Sequence, residues 1–160
     1  MEPVRRTINN FMPTPIQSMS TEQRRLVCNS FDLARDLSRP FALLFYGKLF
    51  EMDPSARALF HNDLTLQGQK LMDMLSAIVE SLDDFDFMRS KLAELGRKHA
   101  SYGVRLEQYG TLVTALLWTL GQALGGDFDA PTREAWKAAL AAVGEAMTVD
   151  QVRPVSDTQR

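Results

Sequence analysis

Apolar positions recur every three to four residues through most of this chain, and a few polar or glycine-rich corners interrupt the recurrence. Leu26, Val27, Phe31 and Ala34 mark the first stripe. Ser20 with Gln23 three residues on has the form of a capping box, so a helix is predicted from Thr21 to about Leu37. Ser38-Arg39-Pro40 caps and starts a second, with Phe41, Leu43, Leu44, Phe45, Tyr46, Leu49 and Phe50 apolar nearly all round, a pattern that predicts burial on several sides. Asp53-Pro54 opens a short helix ending near Leu59-Phe60. Asp63 can cap a long one from about Leu64 to Leu82, with Leu64, Leu71, Met74, Leu75, Ile78 and Val79 on its stripe and Gln67 between the first two. Further helices are predicted from about Phe85, from Leu106 to about Leu124 before Gly125-Gly126, and from Asp129-Ala130-Pro131-Thr132 to about Met147. No segment alternates as a strand would, so the chain reads as all-α, with six or seven helices joined by short connections.

The helix starting near Phe85 carries the most unusual residue. Met88, Leu92, Leu95, His99 and Tyr102 are spaced by four, three, four and three, which places an imidazole on an apolar face near a helix end, with Gly103 as the stop signal. His99 has two readings at this point. One is a core histidine satisfied by a carbonyl; the other is an axial ligand to haem iron. Two more polar residues sit in apolar surroundings, Tyr46 and Gln67. Each alone is ordinary, Tyr46 as a core aromatic bonded to a carbonyl and Gln67 as a partly exposed helix residue. Together with His99 and Phe60 they describe a cavity with one metal-binding group on one wall and two hydrogen-bond donors on the other.

Composition narrows the function classes. The length of 160 residues is that of one domain, and 45% apolar with 24% charged residues is too apolar for disorder. A net charge of −2 gives no electrostatic case for nucleic acid, and no apolar run reaches membrane-spanning length. Cys28 is the only cysteine, so an intrachain disulfide is excluded; a buried inert thiol in a reducing, cytoplasmic setting is expected, with a homodimer through it as a minor alternative. Two histidines and one cysteine leave no ordinary structural zinc site. Residues 1–19 lack a sustained period and a signal-peptide core, and read as a flexible arm whose Ile8, Phe11, Met12 and Ile16 have the character to dock on the domain or a partner subunit. Residues 20–148 form the folded domain and 149–160 a flexible tail.

From Thr21 to about Thr148 the chain resembles a single-domain bacterial globin. Leu95-Gly96-Arg97-Lys98-His99 with Tyr102-Gly103-Val104 is similar to the proximal segment of neuroglobin. Phe45-Tyr46-Gly47-Lys48-Leu49-Phe50 followed by Pro54 and Phe60 is similar to the bacterial distal half, and Gln67-Gly68-Gln69-Lys70-Leu71-Met72 to the start of the distal helix. The resemblance implies a globin fold with haem b between the helices of Gln67 and His99. His99 would ligate the iron and Phe60 would pack on the porphyrin. Tyr46 and Gln67 would form the distal hydrogen-bonding pair with Leu71 beside the ligand. Lys70 would reach a haem propionate, and Leu92, Leu95, Val104 and Tyr109 would line the proximal side. Gln67 stands where the family commonly has histidine, which disfavours bis-histidine iron. His61, in the short corner before Gln67, reads as a surface or propionate-edge residue.

Two donors above the iron imply tight binding and slow release of oxygen, which suits nitric oxide detoxification, or peroxide or nitrite chemistry, more than transport. The sequence has no Gly-rich dinucleotide loop, so sustained turnover implies a separate reductase. A gas or redox sensor signalling to a partner is the alternative. A third reading, a haem-free helical interaction module, leaves His99, Tyr46 and Gln67 without a purpose.

Overall fold

The computed structural model describes residues 19–60 and 63–152; the N-terminal arm before Met19, His61 and the last eight residues lie outside them. Six α-helices and two 3-10 turns make up the described chain: α1 (Thr21–Arg35), α2 (Ser38–Met52), a 3-10 turn (Pro54–Leu59), α3 (Leu64–Glu80), α4 (Phe85–Ser101), α5 (Leu106–Leu124), a 3-10 turn (Gly125–Asp127) and α6 (Ala130–Val152). There is no strand among the described residues, as the recurring helical period predicts.

Most helix starts are set by local polar chemistry. Ser20 Oγ accepts from the Gln23 N–H at 3.0 Å while Gln23 Oε1 accepts from the Ser20 N–H at 3.1 Å, the full capping box. Asp53, Asp63 and Asp129 each accept a backbone N–H of the turn that follows, from Ser55, Thr65 and Thr132 respectively. The ends differ from expectation. α1 stops at Arg35 and α3 at Glu80, each two residues early. α2 begins without a side-chain cap. Helix α6 runs on to Val152, so the tail expected from residue 149 starts as helix.

The core lies where α2 packs on α3 and α5, and where α6 packs on α1, α4 and α5. At one α1–α6 contact the buried Trp136 donates its indole N–H to Ser30 Oγ at 2.8 Å, which satisfies both groups away from water. The near-uniform apolar character of α2 overstates its burial. Phe41, Phe45, Tyr46 and Leu49 are buried, but Leu43 is 63% exposed.

Two glycines mark the closest helix approaches. A Cβ built on Gly68 of α3 would lie 2.7 Å from the Ala42 Cβ of α2. One built on Gly96 of α4 would lie 1.7 Å from the Met147 carbonyl oxygen of α6. Gly47, in the middle of α2, has nothing within 4 Å of such an atom. Gly47→Ala is therefore expected to stabilise the protein by about 0.5–1 kcal/mol, a rise of about 2–4 °C in Tm, since only helix propensity changes there. A thermal melt showing a fall would mean that α2 is not a regular helix at this point.

Candidate functional site: a crevice between α3 and α4

Helices α3 and α4 follow one another in the chain yet barely touch. α3 rests on α2 and α1, and α4 rests on α6. On α4, Phe85, Met88, Leu92 and Gly96 form the buried stripe. Leu95 and His99 lie one position round from it and are only half-buried. On α3, Gly68, Met72, Leu75 and Val79 are buried, and the adjacent face holding Gln67, Leu71 and Met74 is again half-buried. Apolar side chains left half-covered on both helices mark the gap between α3 and α4 as the candidate site.

His99 forms one wall. Its Nδ1 lies 2.8 Å from the Leu95 carbonyl oxygen, an acceptor, so Nδ1 carries the proton and donates it. The Nε2 lone pair is thereby left available, and no partner for it exists among the described residues. A carbonyl thus satisfies one ring nitrogen, as the first sequence reading expects, and the other is unpartnered among the described residues. Val104, half-buried, donates its backbone N–H to the His99 carbonyl at 3.0 Å and closes the helix end beside Gly103, whose φ of +96° suits glycine. Tyr102 departs from the predicted apolar face. It caps α4 and is 72% exposed, because the helix ends before its side chain can turn inward.

Tyr46 stands on α2. Its ring, 5% exposed, meets Phe60 edge-on at 5.2 Å and Phe50 at 6.1 Å, which brings Tyr46, Phe50 and Phe60 into one aromatic cluster. Its hydroxyl has no partner among the described residues, and burial pushes the phenol up to about 12. It therefore keeps its proton and remains a donor. The Gln67 side chain, half-buried, likewise makes no hydrogen bond among the described residues. Lys70 is exposed. Leu92 is buried in the core at 1% exposure. His61, expected at its edge, lies outside the described residues.

Two contacts tie the 3-10 turn before Phe60 to α5 and to the corner after His99, and the sequence signals neither. Asp53 Oδ1 caps the 3-10 turn, while its Oδ2 accepts from Gln108 Nε2 of α5 at 2.9 Å. The hydrogen bonds from Ser55 and Gln108 hold the Asp53 carboxyl below the usual carboxylate range. A Cβ on Gly103 would touch Leu59 Cδ2 at 3.8 Å, so the turn before Phe60 reaches the corner after His99. Beneath α4, Gln151 of α6 donates its amide to the Gly96 carbonyl at 3.2 Å, and Arg97 pairs with Asp150. Tyr109 of α5 places a buried hydroxyl near the Gln151 amide without a hydrogen bond of ordinary geometry, and burial raises its pKa.

The described residues form an all-α core with a half-buried histidine whose Nε2 has no partner among them and a buried phenol whose hydroxyl has none. A family model described as Globin matches residues 43–147. The chain belongs to the globin family. This globin is 27% identical over 135 residues to a neuroglobin of Chaenocephalus aceratus, covering 76% of this chain and 85% of that one. It is 26% identical over 147 residues to a neuroglobin of Danio rerio, covering 83% and 92%. Among solved structures it is similar to the engineered carbene transferase RmaNOD from Rhodothermus marinus, described as a candidate nitric oxide dioxygenase. That match has a TM-score of 0.75 at 25% identity and covers 84% of this chain and 94% of that one. No helix among the described residues is long and apolar enough to cross a membrane.

Membership of the globin family implies haem binding, and the residues present fit the group. The imidazole has its Nδ1 proton committed to a carbonyl, the arrangement that orients a metal-ligating histidine. The side chains flanking it are apolar and half-covered, as a large flat cofactor requires.

Proposed function

We propose that this globin holds haem b in the crevice between α3 and α4 through His99 and binds diatomic gases on the side of Tyr46 and Gln67. The observation that carries this reading is the fixed tautomer of His99, which presents Nε2 and leaves it without a protein partner. Phe60 is the aromatic that would lie against the cofactor. Leu71 would crowd the gas site, and Lys70 would meet a propionate at the rim. Leu95, Val104 and Tyr109 would form the proximal surroundings. Bound haem supplies an iron centre that takes oxygen, nitric oxide and carbon monoxide.

The chain supplies the discrimination. A gas ligand that gathers negative charge is stabilised by the Tyr46 O–H and a Gln67 N–H, and a hydrogen bond to a charged group contributes about 1.5–3 kcal/mol. Tyr46→Phe is therefore expected to raise the oxygen dissociation rate by about ten- to a hundredfold, with carbon monoxide release changed far less. Stopped-flow ligand replacement measures both rates. An unchanged oxygen rate would remove Tyr46 from the distal role. Because its pKa is about 12, the wild-type oxygen off-rate should stay flat from neutral pH to about 10.

Slow oxygen release favours chemistry with a second gas over transport. Nitric oxide dioxygenation is the activity this pocket suits best, with a separate reductase returning the electron that each turnover consumes. Absorption spectra of the oxidised, reduced and carbon-monoxide forms test haem binding directly. Adding nitric oxide to the oxygenated protein tests the activity: one equivalent should be consumed rapidly, and continued consumption should require an added reductant. Slow or absent consumption would leave gas binding without this enzyme role.

A further inference from the structure

Helix α2 turns an apolar side to water. Leu37, Pro40, Leu44 and Gly47 are spaced by three, four and three, so they follow one face of the helix, with Leu43 one position round from it. All of them are exposed, and so is Leu33, one turn before Leu37 on α1. Bare apolar side chains in a run of this kind mark a contact surface.

The length of chain ahead of α1 points to what covers it. Met19 is 5% exposed, so the chain enters the fold at an anchored point just before α1. α1 then runs from Thr21 to Arg35, about 22 Å at 1.5 Å per residue, and delivers the chain to Leu37. A segment running back alongside α1 from Met19 needs about seven extended residues to cover that length, which brings Met12 and Phe11 level with Leu33 and Leu37. Pro13 and Pro15 fall within those seven, and proline, with its fixed φ and missing N–H, suits an extended run and not a helix. From Met12 back to Ile8 an extended chain spans about 12 Å, against about 10 Å for the helical rise from Leu37 to Leu44. The apolar residues of the N-terminal segment thus fall where those of the domain lie bare. Being tethered, this segment meets the stripe at an effective concentration of about millimolar, whereas a second copy must be recruited from solution. We propose that Ile8, Phe11 and Met12 of the chain's own N-terminal arm dock on the exposed stripe of Leu33, Leu37, Leu43 and Leu44.

A nitroxide spin label beside the stripe tests this in the full chain. Asp36→Cys and Glu51→Cys, each in a Cys28→Ala background, put the label at either end of the stripe on exposed positions, so each stands in should the other misfold. Comparing amide signals before and after the nitroxide is reduced isolates its effect from that of any bound iron. The signals of residues 8 to 12 are expected to lose more than half their intensity while the label is active. Adding Leu44→Asp, at an exposed position, should restore most of it. Full intensity at residues 8 to 12 with an active label overturns the proposal. Broadening that Leu44→Asp leaves unchanged also overturns it, since the arm would then be passing near without docking. A mixture of spin-labelled chains with isotope-labelled, nitroxide-free ones should show no loss. A loss there as large as within one chain assigns the stripe to a second copy and overturns the proposal too.

Discussion

His99→Ala is expected to abolish the Soret band of the purified protein while the far-ultraviolet helical signal persists. In the proposed site the His99 imidazole is the group that bonds iron through Nε2, since its Nδ1–H bond to the Leu95 carbonyl spends the other nitrogen. Losing a partner of a metal-bound histidine costs about 10- to 100-fold in affinity, so losing the ligand itself should exceed a hundredfold. The fold should survive. His99 is half-buried and bonds to a carbonyl of its own helix, and the stripe that holds α4 in place runs through Phe85, Met88, Leu92 and Gly96 instead. Added imidazole should restore much of the band by entering the vacated space. A full Soret band in the alanine variant would show that haem is held elsewhere.

Gly96→Ala should be among the most damaging of single substitutions, although alanine is the better helix former by about 1 kcal/mol. The new Cβ would sit 1.7 Å from the Met147 carbonyl oxygen, a backbone atom fixed within α6. The two helices must separate, and forced overpacking of this kind costs about 1–3 kcal/mol or more. Separation also strains the Gln151 bond to the Gly96 carbonyl and the Arg97–Asp150 pair. A fall in Tm of about 10 °C is expected, with weakened haem retention because α4 carries His99. Gly47→Ala, identical in chemistry, should move Tm the other way. A Gly96→Ala protein as stable as the wild type would show that backbone contact does not set the α4–α6 distance.

What the sequence discloses here is what is local. Ser20, Asp53, Asp63 and Asp129 announce helix starts because a cap needs only the turn that follows it. The period of Leu95 and His99 places the histidine on the side of α4 that leads to the crevice, and the resemblance of the Gly96–His99 stretch to globins supplies the family. The Nδ1 partner of His99 is local too, but every helical residue has a carbonyl four positions back, so its presence carries no signal. Contacts across the chain are silent: nothing marks the second oxygen of Asp53 as the partner of Gln108, or Gly96 as the point where α6 comes close. α6 outlasts its apolar pattern for the same reason, since Asp150 and Gln151 are polar residues occupied with α4. Leu92 and Leu95 differ by three positions, and the small rotation between them separates a fully buried side chain from a half-buried one.

The aromatic residues of the proposed site and the residues that hold α4 come from opposite ends of the synthesis schedule. The aromatic wall of Tyr46, Phe50 and Phe60 leaves the ribosome early, whereas Gly96 and Arg97 wait for Met147, Asp150 and Gln151 near the end of α6. Until those residues emerge, His99 rides on a helix with no bed to lie in. A translating chain stalled before α6 is complete is accordingly expected to carry no haem however much is supplied.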